Sequence, residues 1–275
     1  MEPLMIAGLL ILSFAAGLIG SLFGLGGGII IVPVLTILYG MDPKEAMAVS
    51  LVAIAAVSAV SASSLVKERV ANIRVGLRLE AGAAAGAAAG AVIALHVQSV
   101  VLALCFSAVL VYSASYMFLR PERIIPPSGE RTDDDFTYRD AKTGEDVGYT
   151  VKNYATGTLG FLAAGISSAL SGVGGGTIKV PIMNIHMRMP MKAASATSSY
   201  VIGITAFSGA AVYLLSGVLD AHMQTAAIVT VGAFIGSFIG LRILRRTDTS
   251  SLRRYFSLLL IFLAAVMLLG AGGII

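Results

Sequence analysis

The chain has 275 residues, of which 57% are hydrophobic and 12% charged, with a mean hydropathy of +0.89. A soluble domain carries about a quarter of its residues as charges, so this composition excludes a water-soluble globule and turns most of the surface toward lipid. The formal charge of +4 and the pI near 9.3 do not point to nucleic acid, because the basic residues gather in short loops between apolar runs, where they orient a chain in a bilayer.

From the N-terminus, Met1-Glu2-Pro3-Leu4 places no basic region ahead of the first apolar run. No cleaved signal peptide is expected, and the run at about 4–23 is read as a retained span. Gly24, Gly26, Gly27 and Gly28 then interrupt the chain, and a short apolar piece follows at about 28–39, with Pro33 inside it. Longer runs come at about 46–66 and 76–95, joined by a turn carrying Lys67, Arg69, Arg74 and Arg78 against Glu68. A fifth run, about 99–119, holds Cys105, the only cysteine. One thiol allows no intrachain disulfide, so it is read as a small buried hydrophobe.

Residues 120–152 form the one long polar stretch. Asp133, Asp134 and Asp135 lead into an alternating segment that predicts a small β-hairpin around Lys142-Thr143-Gly144-Glu145. The stretch reads as a connector, with partner docking or regulation as the alternative. The adjacent aspartates do not fit a calcium loop, and no metal site is expected. Five further runs follow at about 154–171, 176–185, 193–216, 223–244 and 252–269. Most of the ten approach the ~20 residues needed to cross ~30 Å of hydrocarbon. The second and seventh are far shorter, and each follows a glycine cluster.

The second cluster is Gly172, Gly174, Gly175 and Gly176, ahead of Pro181. One constant offset maps it onto the first and also maps Pro33 to Pro181, Lys44 to Lys192 and Ser50 to Ser198. The chain is thus read as two related parts, residues 1–119 and 153–275, joined by 120–152. Basic residues put the 67–78 turn and the turn with Arg242, Arg245, Arg246, Arg253 and Arg254 in the cytoplasm; the turns at 96–98 and 217–222 read as external. The parts are then inverted, whether the short arms span or re-enter. The expected fold is an all-α polytopic membrane protein with two inverted-topology repeats of about five apolar segments each, and with glycine-broken short helices near the midplane.

Glycine-interrupted segments at matching places are a pointer to a carrier's binding site. Close helix packing is the competing reading, but three consecutive glycines, each costing roughly 1 kcal/mol in a helix, exceed what packing needs. Neither cluster has the Lys-Ser/Thr of a phosphate-binding loop. Unwound backbone beside the arms that begin at Ile29 and Thr177 would offer N–H groups to an anion. Lys179, alone in the second arm opposite Ile31, would supply compensating charge, no acidic residue lying nearby in sequence; snorkelling to an interface is the alternative. Ser50, Thr197 and Ser198 would donate hydroxyls, or bond helix to helix, a choice equally open for Ser195, Ser199, Ser58, Ser61, Ser63 and Ser64. Asn184 and His186 are read as substrate or proton contacts, or as surface groups, and Pro33 and Pro181 as structural hinges. The acids avoid the apolar runs and the three histidines lie far apart, so no catalytic set is expected.

The Gly24–Pro33 and Gly172–Pro181 motifs, with the two Lys-x-Ala-x-Ala-x-Ser stretches at Lys44–Ser50 and Lys192–Ser198, resemble the TauE/SafE sulfite and organosulfonate exporter family. The resemblance spans nearly all of the chain outside the central loop. It implies a secondary transporter of the cytoplasmic (inner) membrane exporting a small sulfur-containing anion by alternating access. An anion channel, or a carrier of another small organic anion, is the alternative. The implied partners are the anion and the bilayer, with a homo-oligomer left open; no cofactor is implied.

Overall fold

In the computed structural model the chain is predominantly helical. Residues 3–67, 70–94, 133–140 and 144–271 are described, together with 111, 114, 115, 118 and 119. Helix α1 runs Pro3–Phe23, a short α2 runs Gly28–Pro33, and α3 (Pro43–Lys67) and α4 (Ile73–Ala94) follow. After the strands β1 (Asp135–Arg139) and β2 (Asp146–Thr150) come α5 (Tyr154–Ser171), a short α6 (Gly176–Pro181), α7 (Met191–Leu215), α8 (Met223–Arg246) and α9 (Thr249–Ala271). Most of the apolar run predicted at 99–119, including Cys105, lies outside the described residues, as do the turn at 96–98, the loop at 120–132, and Glu68 and Arg69.

Among the described residues, five helices are long and apolar enough to cross a membrane: α1, α3, α4, α7 and α8. Leu4, Ile11, Leu159, Phe207 and Phe262 are large apolar side chains left exposed, as expected of surface in contact with lipid. This is a polytopic integral membrane protein.

The two short helices, α2 and α6, each end in proline. Pro33 and Pro181 lack the N–H that would continue the helical ladder, and each is followed by a π-helical turn, Val34–Leu38 and Ile182–His186. These arms fold back along the helix before them. Tyr39 Oη comes within 3.4 Å of Met5 O, and Asn153 Nδ2 donates to His186 O at 2.9 Å. Each arm therefore ends beside the start of the preceding long helix, as the second limb of a helical hairpin.

Packing around the hairpins is reciprocal. Helix α1 lies along α8, α4 lies along α5, and α3 crosses α7. Small residues let the backbones touch, because van der Waals contact rather than hydrophobic transfer drives helix association in lipid. A Cβ on Gly17 would sit 2.0 Å from Ala233 O, and one on Gly165 would sit 2.0 Å from Ala83 O. Gly232, Gly236 and Gly240 face α1 as Gly82, Gly86 and Gly90 face α5. At the α3–α7 crossing, Ser58 Oγ donates to Ser199 O at 2.9 Å and accepts from Gly203 N at 2.9 Å.

The hairpin strands pair antiparallel with Phe136 opposite Tyr149 and Tyr138 opposite Val147. Tyr138, Tyr149 and Val151 are buried among the helices. Asn72 Nδ2 donates to Tyr149 Oη at 3.0 Å, and burial pushes that hydroxyl's pKa up, keeping it protonated. Lys192 Nζ lies 2.9 Å from Asp140 Oδ1, both largely shielded from solvent. The hairpin is thereby clamped to the entrances of α4 and α7. The α7–α8 turn carries a looser contact, His222 Nε2 to Glu45 Oε2 at 3.0 Å, with both side chains partly exposed.

Close glycine packing makes an uneven substitution series. Gly236→Ala would drive a Cβ to 2.0 Å from Phe14 O and is expected to destabilise by about 1–3 kcal/mol. Gly82→Ala, whose nearest contact would be 3.7 Å away, is expected to stabilise by about 0.5–1 kcal/mol through lower chain entropy. Thermal melts of the two variants in detergent check this; equal melting temperatures would remove the packing argument.

Candidate functional site

Gly24, Gly26 and Gly27 have φ of 75°, 77° and 92°, and Gly172, Gly174 and Gly175 have φ of 68°, 80° and 75°. L side chains rarely adopt this left-handed backbone, so the turns between α1 and α2 and between α5 and α6 require glycine. Gly28 and Gly176 are required for proximity instead. A Cβ on Gly28 would lie 2.3 Å from Gly172 O, and one on Gly176 would lie 2.1 Å from Gly24 O. The two glycine turns, distant in sequence, are in direct contact.

Serines fasten this crossing from both sides. Ser50 Oγ, on α3, donates to Gly172 O at 2.6 Å. Ser198 Oγ, on α7, donates to Gly24 O at 2.7 Å. Ile54 packs over Gly26 as Ile202 packs over Gly174. Ser195 Oγ adds a bond to Leu22 O at 3.1 Å, and Ser199 Oγ one to Ser21 O at 3.3 Å. Of the residues singled out from sequence, Gly24, Gly26, Gly28, Gly172, Gly174, Gly176, Ser50 and Ser198 therefore meet in one place. Gly27 and Gly175 turn their backs on it, against Ala16 O and Ala164 O of their own hairpins.

Thr197 is placed elsewhere. Its hydroxyl donates to Ala193 O at 2.6 Å and accepts from Asn72 N at 2.9 Å, so it braces the entry to α4. Asn184 Nδ2 donates to Met189 O at 3.0 Å within its own arm's exit. Ser61 and Ser63 donate to Val57 O and Val60 O of their own helix.

Lys179 is fully buried and does not snorkel. Its Nζ lies 2.7 Å from Glu80 Oε2 of α4, itself 2% exposed. Thr205 of α7 completes the group: its N–H donates to Glu80 Oε1 at 3.0 Å, and its hydroxyl bonds both Lys179 Nζ and Glu80 Oε1. The Phe161 ring of α5 lies 5.3 Å from Nζ, within reach of a cation–π contact. The reading that acids avoid the apolar runs is thus corrected: Glu80 sits two turns into α4. No acidic residue lies near Lys179 in sequence, and helix packing supplies one from 99 residues away. Glu80 and Thr205 were missed; the available signal was a lone carboxylate inside a run otherwise rich in Ala, Gly and Leu.

The chain as a whole matches a family model described as "Sulfite exporter TauE/SafE" over residues 9–267. It is 26% identical over 267 residues to "Probable membrane transporter protein YunE" of Bacillus subtilis, covering 94% of this chain and 96% of that one. It is 22% identical over 270 residues to a "Probable membrane transporter protein" of Haemophilus influenzae, covering 94% of each. No solved structure matches it significantly.

Removing one member of a buried ion pair strands the other, which costs about 3–5 kcal/mol, whereas apolar replacement of both is often neutral. Lys179→Ala and Glu80→Ala are each expected to lower stability by that amount, and Lys179→Met with Glu80→Leu to restore most of it. Melting of the three variants in detergent tests the pairing; additive losses would mean that the two side chains do not depend on each other.

Proposed function

The chain belongs to the TauE/SafE sulfite exporter family and is a membrane transporter, and from that premise we propose that it exports a small sulfur-containing anion across the cytoplasmic membrane by alternating access. The observation that carries this reading is the crossing of the two glycine turns, each fastened by a serine from the other half of the chain. Matching exchanges of partner, α1 on α8 and α5 on α4, support an arrangement of two inverted repeats, residues 1–119 and 153–275, around connector 120–152.

In this reading one bundle rocks against the other about the crossing. Parting the turns breaks the Ser50–Gly172 and Ser198–Gly24 bonds together. That frees the hydroxyls of Ser50 and Ser198 and uncovers the glycine-led starts of the two short arms, while the N–H groups of Leu25, Gly26 and Gly172 stay bonded within their own hairpins; neutral donors of this kind suit the oxygens of sulfite or a sulfonate. Neutral donors hold an anion without the tight grip of several fixed charges, which suits a site that must release. Lys179, three residues beyond Gly176, supplies the cation. Pro33 and Pro181 keep the arms short enough to return rather than cross. Thr197 acts at one remove, by holding α4 in register with α7.

Counterflow in proteoliposomes tests the proposal. Wild-type protein is expected to give saturable exchange of sulfite or sulfoacetate. Ser50→Ala leaves a buried carbonyl unpaired, a loss of about 1–3 kcal/mol, and should slow exchange by roughly tenfold. Non-saturating flux would favour an anion channel, and exchange of carboxylates alone would move the substrate class to other organic anions.

A further inference from the structure

The charged group at Lys179 occurs once, although the scaffold around it occurs twice. The sequence repeat matches Lys179 to Ile31, Thr205 to Val57 and Phe161 to Ser13. The glycine faces, Gly82, Gly86 and Gly90 of α4 packed against α5 and Gly232, Gly236 and Gly240 of α8 packed against α1, match Glu80 to Thr230. At that second place the helices enclose a small cavity lined by Leu9, Ser13, Ile31, Leu35 and Val229 among others, with no charged residue. The same packing is thus achieved without an ion pair. Two buried charges lose several kcal/mol of hydration each and repay it only in part. Stability does not account for Lys179 and Glu80.

Resting on the carrier reading above, we propose that Glu80 is the chain's own stand-in for the transported anion and the binding site of a coupling proton. The incoming anion takes the place of Glu80 at Lys179 Nζ. Glu80, deprived of its cation in an apolar interior, takes up a proton. The bond formed is O–H on a Glu80 carboxyl oxygen, and the proton comes from bulk solution, relayed by the water that enters with the anion; release reverses both steps. For a monoanion the net charge of the group is zero before and after, so the interior never holds an uncompensated charge.

The surroundings fit this exchange. Among the described residues, the charged group touching Glu80 is Lys179, from α6. Helix α7 contributes the uncharged Thr205 and α5 the uncharged Phe161. On α4 itself, Arg78 is turned away onto the Tyr154 ring, 4.7 Å from its centroid. Thr205 bonds both partners, so its hydroxyl can follow whichever group remains when the pair separates.

Proton counting on the purified protein decides the matter. Methanesulfonate, thiosulfate and sulfoacetate are used, because each keeps one charge state near neutral pH. Wild-type protein is expected to take up roughly one proton per bound anion, with affinity weakening about tenfold per unit rise in pH. Glu80→Gln should bind the anion with no proton uptake and no pH slope, and Lys179→Met should weaken binding by about thirtyfold or more. Anion binding by wild-type protein without proton uptake overturns the exchange and leaves the carrier reading standing. Failure of wild-type protein to bind or move any of these anions overturns both. If Glu80→Gln does not fold, the wild-type proton count alone settles the proposal.

Discussion

A helix interrupted inside a bilayer exposes peptide groups that no solvent can satisfy, and each such group costs several kcal/mol if left alone. The structure answers this constraint at the glycine crossing. The carbonyls of Gly24 and Gly172 accept hydrogen bonds from serines of helices from the opposite half. Both turns are therefore tolerated only because they meet. Contact between them demands residues without a Cβ, which explains why Gly28 and Gly176 are glycine although their backbone conformation does not require it.

The rest of the fold serves that meeting. Glycine faces on α4 and α8 bring those helices onto α5 and α1 at backbone contact, which brings α3 and α7 close enough for Ser50 and Ser198 to reach across. Thr197, away from the crossing, is held by Ala193 O and Asn72 N. Charge is confined to places where a partner is in hand: Lys179 with Glu80 inside, Lys192 with Asp140 beneath the hairpin. Family membership and two transporter relatives agree with an architecture of membrane-length helices packed around a polar crossing and a buried ion pair.

How much of this was legible in the sequence depended on whether the signal was local. The glycine clusters, Pro33 and Pro181 repeat at a fixed spacing, and that spacing also carries Ser50 and Ser198, so the residues of the crossing could be named without coordinates. Lys179 was visible as a charge in an apolar arm. Its partner was not, because a lone carboxylate inside an Ala- and Gly-rich run does not by itself say which helix it will face. Only the packing of α4 on α5 brings it to α6. Thr197 shows the opposite error: its place beside Ser198 put it with the crossing, whereas one step around a helix turns a side chain by about 100° and points it at the start of α4. That each short arm turns back along the helix before it was equally hidden, since apolar length says nothing of direction.

The serine bonds at the crossing also bear on biosynthesis. The hydroxyl that donates to the Gly24 carbonyl comes from Ser198, 174 positions later in the chain. A ribosome delivers the first broken hairpin to the membrane long before its fastener exists. Until α7 arrives, that peptide group must stay wet or borrow a temporary partner, so the early half of the molecule matures only when the late half has been inserted.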